Sequence, residues 1–195
     1  MLEAILRADA AARAWLAGNH TPVLDLLLAG LSRGARGAAL WCAIGFLLAL
    51  ARPRLAAGVV QMVLAIALTT LLVDGFVKPA VARTRPFDAA PGVRVVADRP
   101  VSASFPSGHA ASAAAAAYAL SRLVPAARLP LWALAVAVSY SRIYVGAHYP
   151  LDVVGGWLIG LASGAFVVGG SRWYSENPSR APTPCRGSSV GRARD

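Results

Sequence analysis

A histidine and a carboxylate four residues apart stand in the run Ser141-Arg142-Ile143-Tyr144-Val145-Gly146-Ala147-His148-Tyr149-Pro150-Leu151-Asp152, between two apolar segments. Ionisable groups at the mouth of an apolar helix are costly, and their default reading is functional. If a helix opens near His148, Asp152 falls one turn further on the same face, and Pro150 suits the first turn. A carboxylate on one imidazole nitrogen sets the tautomer and leaves the other nitrogen a better nucleophile. Arg142 adds a guanidinium matched to phosphate oxygens.

Two further stretches carry compatible chemistry. Lys78-Pro79-Ala80-Val81-Ala82-Arg83-Thr84-Arg85-Pro86 closes one apolar run with three cations, and Pro106-Ser107-Gly108-His109 opens another. In the second, proline fits a first helical turn, glycine lets a ligand approach the backbone, and the free amides of a helix start favour an anion. Phosphate-binding groups, two histidines and an orienting carboxylate form a phosphoryl-transfer set. The same residues allow two duller readings. His148 and Asp152 could form a structural pair, and His109, His148 and Asp152 are metal-ligand types, although Lys78, Arg85 and Arg142 would repel a cation there.

The three motifs resemble those of the type 2 phosphatidic acid phosphatase family, which also includes vanadium haloperoxidases and bacterial acid phosphatases. Lys78 to Arg85-Pro86, Pro106-Ser107-Gly108-His109, and Ser141-Arg142 to His148 to Asp152 agree with that family in identity and spacing. The resemblance implies that His148 attacks phosphorus to form a phosphohistidine and that Asp152 holds its ring. It implies that His109 protonates the leaving group and then activates water. Lys78, Arg85, Ser107, the amides around Gly108, and Arg142 would bind the phosphate, with no metal and no cofactor. Arg83 and Thr84 lie inside the first motif without belonging to it and read as bystanders.

The elements that must position these residues are apolar. The chain has 195 residues, of which 57% are hydrophobic, and a mean hydropathy of +0.56, too apolar for an ordinary soluble domain. The reading is an all-α integral membrane helical bundle of about five transmembrane helices, preceded by N-terminal interfacial helices. Spans are expected at Ala35 to Ala51, Leu55 to Val73, Pro106 to Val124, Leu129 to Tyr144 and Tyr149 to Gly170. Three regions follow: interfacial helices over 1–34, a transmembrane core over 35–170, and a disordered basic tail over 171–195. The net charge of +10 arises from 19 Lys and Arg against 9 Asp and Glu. Because these charges lie between apolar runs, they suit anionic lipid headgroups and phosphate better than nucleic acid.

Smaller signals refine the picture. Residues 1 to 17 read as an amphipathic surface helix with Glu3–Arg7 and Asp9–Arg13 at i,i+4 spacing. No secretory signal is expected, because no basic start precedes an apolar core. Cys42 and Cys185 are not expected to pair. His20 reads as a loop histidine, and Asp74 as a structural partner of Lys78. The aperiodic stretch Phe87 to Phe105 joins two motifs and is expected to cover the site or touch the headgroup. The glycines at 155, 156, 160 and 164 form a stripe for close helix packing.

Alternation of the five spans puts all three motifs on one membrane face. The distribution of arginines, and the resemblance, point that face outward from a multi-pass plasma (inner) membrane. The leading reading is a phosphatase for a lipid phosphate: undecaprenyl or another polyprenyl diphosphate, phosphatidylglycerophosphate, or phosphatidic acid. The alternatives are a transferase using the same histidine and a non-catalytic lipid-binding protein. Oligomeric state is left open.

Overall fold

The computed structural model describes residues 1–97 and 99–176. Among them every regular element is helical: α1 (Leu2–Leu16), α2 (Pro22–Gly34), α3 (Ala39–Ala51), α4 (Ala56–Thr70), α5 (Lys78–Val81), α6 (Pro86–Ala89), α7 (Gly108–Leu123), α8 (Arg128–Tyr144) and α9 (Pro150–Glu176). Thr21 caps α2 by accepting from the Leu24 amide at 3.2 Å, with Pro22 in the first turn.

The bundle is built around α7. Alanine occupies most of this helix, and residues 110–117, Ser112 among them, are buried together with Leu120. A helix without bulky side chains lets neighbours approach its backbone closely. α4, α8 and α9 all pack on it. The glycine stripe of α9 faces this helix. A Cβ at Gly156 would meet the Ser107 carbonyl, one at Gly160 would overlap the Ala111 carbonyl, and one at Gly164 would press on Tyr118. Trp41, Met62, Leu120 and Val138 fill the core beside α7.

The opposite surfaces are apolar too. Leu47 and Leu50 on α3, Val60 and Leu64 on α4, and Leu158 and Phe166 on α9 are all exposed. Among the described residues, length and apolarity alone qualify two helical stretches to cross a membrane, Pro53–Ala89 and Pro150–Gly170, or three if Pro22–Gly34 and Arg36–Ala51, bent by 58°, count as one. α7 and α8, with 16 and 17 residues, rise about 24 to 26 Å, short of a hydrocarbon core of about 30 Å.

Several boundaries differ from expectation for local reasons. The span expected at Ala35 begins instead with a tight turn in which Gly37 and Ala38 take left-handed φ values of 56° and 62°. Beyond the span expected to Val73 the helix continues to Lys78, as the Asp74–Lys78 spacing implies, but through a wide π-helical turn, Leu71–Val77, into α5. Pro79, lacking an amide hydrogen, cannot make the regular bond one turn back, which accounts for the widening. α9 runs past Gly170 to Glu176, and 177–195 of the expected tail lie outside the described residues.

Candidate active site

At one end of the bundle a cavity of about 730 Å³ is lined by Lys78, Arg85, Gly108, His109, Arg142 and His148, with Asp74, Ser102 and Thr69 and the apolar Ala35, Ala38, Val73, Pro100 and Ala103 completing its wall. Residues from all three sequence motifs therefore meet. Each arrives on a helix end: Lys78 opens α5, His109 lies in the first turn of α7, Arg142 in the last turn of α8, and His148 in the connection to α9. Gly146, with φ of 78°, turns that connection where the Arg94 carbonyl would collide with any Cβ.

Arg85 organises the cavity floor. Its Nε donates to the Ser102 carbonyl at 2.7 Å, Nη2 to Ser102 Oγ and the Ala103 carbonyl, both at 3.2 Å, and Nη1 to the Ala147 carbonyl at 2.9 Å. Nη1 also lies 3.2 Å from His148 Nε2. An arginine can only donate, so Nε2 must present its lone pair and the proton sits on Nδ1. Asp152 Oδ2 stands 3.6 Å from that Nδ1, longer than a hydrogen bond, and is the carboxylate that faces it. The tautomer inferred from the sequence spacing thus follows independently from Arg85.

Burial acts in the same direction. His148 is enclosed, and desolvation pushes its pKa down to about 4, opposed by Asp152 and reinforced by Arg85 and Arg142. The ring is therefore neutral across the physiological range, as a nucleophile requires.

Lys78 Nζ donates to Asp74 at 2.7 Å and to Ser102 Oγ at 3.3 Å, so Asp74 pairs with the lysine as its spacing suggests. Arg142 is buried and donates to Ser32 Oγ of α2. The buried Nε2 of His109 has no hydrogen-bond partner within the protein. Ser107 is buried, does not line the cavity and serves as the N-cap of α7, accepting from the Ala110 amide, while its own amide donates to the Asp152 carbonyl at 2.9 Å. His20 lies away from the cavity, bonded to Asp25 at 2.9 Å and stacked on Tyr144. Among the described residues no three His, Cys, Asp or Glu side chains cluster as metal ligands.

Sequence reasoning missed four contributors. Ser104 Oγ donates to Asp152 Oδ2 at 2.5 Å, and the hydroxyls of Ser102 and Ser104, two residues apart just ahead of Pro106, were the available signal. Ser32 carried none. Arg83 does not behave as a bystander: it donates to Asp152 Oδ1 at 2.6 Å and to Asp9 Oδ2 at 2.7 Å. Asp9 accordingly faces inward to Arg83, whereas Glu3 and Arg7 form the exposed i,i+4 pair at 3.5 Å.

A helical bundle with apolar outer faces thus gathers two histidines and three cations at one cavity, a set of groups suited to holding a phosphate. The chain belongs to the PAP2 superfamily, whose family model matches residues 58–175. It is 41% identical over 87 residues to an undecaprenyl-diphosphatase of Sulfolobus acidocaldarius, covering 43% of this chain and 41% of that protein. It is 43% identical over 99 residues to a decaprenylphosphoryl-5-phosphoribose phosphatase of Mycobacterium tuberculosis, covering 49% and 53%. The chain thus spans about half, or less, of these curated relatives. The crystal structure of a PAP2-type phosphatidylglycerolphosphate phosphatase from Bacillus subtilis superposes with a TM-score of 0.69 at 27% identity, covering 92% of this chain and 90% of that one. Apolar helices and membrane relatives together make this an integral membrane protein.

Proposed function

We propose that this protein is a membrane phosphatase that removes phosphate from a lipid phosphate or diphosphate through a phosphohistidine. The observation that carries the reading is the single cavity holding His109, His148, Lys78, Arg85 and Arg142. A phosphate entering it displaces the Arg85 contact from His148 Nε2 and presents phosphorus to that lone pair. Nε2 forms the P–N bond while the bond to the leaving oxygen breaks, and His109 supplies the proton that oxygen takes up. Asp152 holds the Nδ1 proton and offsets the positive charge of the ring. His109 then draws a proton from water as its oxygen attacks phosphorus and the P–N bond breaks. Lys78, Arg85, Arg142 and the amides at Gly108 stabilise charge on the equatorial oxygens, with Ser107 fixing those amides by capping α7. No metal takes part.

The substrate class is supported by relatives named for undecaprenyl diphosphate and decaprenylphosphoryl-5-phosphoribose and by the apolar residues of the cavity wall, which suit an alkyl chain. In this reading the chain crosses the plasma (inner) membrane five times with the 1–34 helices at the interface, and the distribution of arginines points the cavity outward. The reading is tested by phosphate release from detergent-solubilised wild type and His148→Ala across undecaprenyl diphosphate, phosphatidylglycerophosphate and phosphatidic acid. Release from at least one lipid that survives EDTA and vanishes in folded His148→Ala is expected. Undiminished release by that variant overturns the phosphohistidine, and a strict divalent-ion requirement overturns the metal-free scheme.

A further inference from the structure

Asp152 carries more partners than an orienting carboxylate needs. Oδ2 accepts from Ser104 Oγ at 2.5 Å and from the Tyr149 amide at 2.9 Å, while Oδ1 is bound by Arg83 Nη1 at 2.6 Å. Arg83 is held in turn. Its Nη2 donates to Asp9 Oδ2 at 2.7 Å, its guanidinium lies over the Tyr149 ring at 4.1 Å, and its carbonyl accepts from the Ser104 amide at 2.8 Å. Asp9 closes the circuit from α1, its Oδ1 accepting from the Leu151 amide at 2.9 Å. The first-turn amides of α9 have no partners inside their own helix, so a carboxylate from α1 caps the helix that bears Asp152.

Charge makes the arrangement conditional. The side chains of Asp9 and Asp152 are 2% and 0% exposed, and Arg83 is the cation bonded to both. Two buried carboxylates left without that cation would repel, and one would take up a proton. A protonated Asp152 loses the negative charge it holds 3.6 Å from His148 Nδ1, and a rotated one moves that charge away. Arg83 does not line the cavity, so it does not act by binding phosphate.

We infer that Arg83 and Asp9 are positioning residues for phosphoryl transfer, which hold Asp152 ionised and aimed at His148 and so make helix α1, outside the segment matched by the family model, a working part of the site. The inference rests on the phosphohistidine reading above.

The test is steady-state phosphate release from phosphatidic acid or undecaprenyl diphosphate, whichever the wild type hydrolyses, by full-length Arg83→Gln, Arg83→Lys, Asp9→Asn and Arg83→Gln/Asp9→Asn beside His148→Ala. Misplacing a catalytic group by about 1 Å costs on the order of 100-fold. Arg83→Gln is therefore expected to lose about that much in kcat with KM nearly unchanged, and Arg83→Lys to recover roughly tenfold of it. Asp9→Asn is expected to cost less, and to cost nothing further in the Arg83→Gln background, where it removes a surplus buried charge. Folded Arg83→Gln with wild-type kcat, or with KM alone raised, overturns the proposal, and additive losses overturn the part given to Asp9. Should Arg83→Gln fail to fold, unchanged kcat in both Arg83→Lys and Asp9→Asn overturns it equally. Inactive His148→Ala beside fully active Arg83→Gln sinks only this inference, whereas active His148→Ala sinks the reading beneath it.

Discussion

His148 has one ring nitrogen facing a cation and the other facing an anion, and that asymmetry decides its chemistry. Arg85 on Nε2 and burial both oppose a second proton, while Asp152 on Nδ1 favours keeping the first. With the folded pKa pushed down from 6.5 to about 4, the unfolded chain binds the extra proton between those values and the folded chain does not. This histidine's contribution to stability is therefore fully present above pH 6.5 and is lost as pH falls from 6.5 towards 4. The sequence holds only three histidines, so single His→Gln variants assign their ring resonances directly. The His148 resonance is expected to stay in its neutral position down to pH 5, and titration near 6.5 would show that the ring is not desolvated as described. At this scale most of the site was legible in the sequence, because motif spacing locates His109, His148, Asp152, Lys78, Arg85 and Arg142. Arg83, Asp9, Ser32 and Ser104 were not, because their roles depend on contacts between elements far apart in the chain. Asp9 and Arg83 are joined across more than seventy positions, and no local spacing encodes that pairing.

At the scale of elements, the site depends on how closely α9 approaches α7. Ser107 and Asp152 are tied by a main-chain bond of 2.9 Å, so the two histidine-bearing segments share one backbone contact. The glycine stripe that permits it was visible in the sequence, since glycines one helical turn apart in an apolar run signal close packing. The break at Gly37 and Ala38 was not, because an alanine in a left-handed conformation carries no compositional mark and is imposed by the packing around it. The π-helical turn before Lys78 was half legible: Pro79 announces a lost hydrogen bond, but not whether the helix ends or widens. Gly160→Leu is expected to force α9 away from the Ala111 carbonyl, costing about 1–3 kcal/mol and most of the activity, because Asp152 moves with its helix. Gly169→Leu, on the same helix with nothing within 4 Å of its Cβ position, is expected to be silent. Thermal unfolding and phosphate release of the two variants check this, and equal tolerance at both positions would show that α7 and α9 are not packed this tightly.

For the whole molecule the governing question is which aqueous phase the cavity faces. The elements bring it to the end where α5 starts, α7 starts, α8 ends and α9 starts, whereas the turns at Pro53–Leu55 and Pro125–Ala127 belong to the opposite end. Arg52, Arg54, Arg122 and Arg128 flank those two turns, and positive charge is retained preferentially on the cytoplasmic side. The cavity end has arginines of its own, among them Arg83, Arg85 and Arg142, but these are drawn into ion pairs and hydrogen bonds within the site. Of these only Arg83 is neutralised, by Asp9 and Asp152, which adds a little to the bias that a bare count of arginines leaves weak. On that bias we propose that the cavity faces outward. In cells producing protein that lacks Cys42 and Cys185, Val101→Cys, fully exposed beside the cavity rim, is expected to react with a membrane-impermeant thiol reagent, and Arg54→Cys only after the cells are opened. The reverse pattern would put the cavity in the cytoplasm and require the phosphate to be released there, so the same pair of labelling reactions also fixes the compartment into which the product goes.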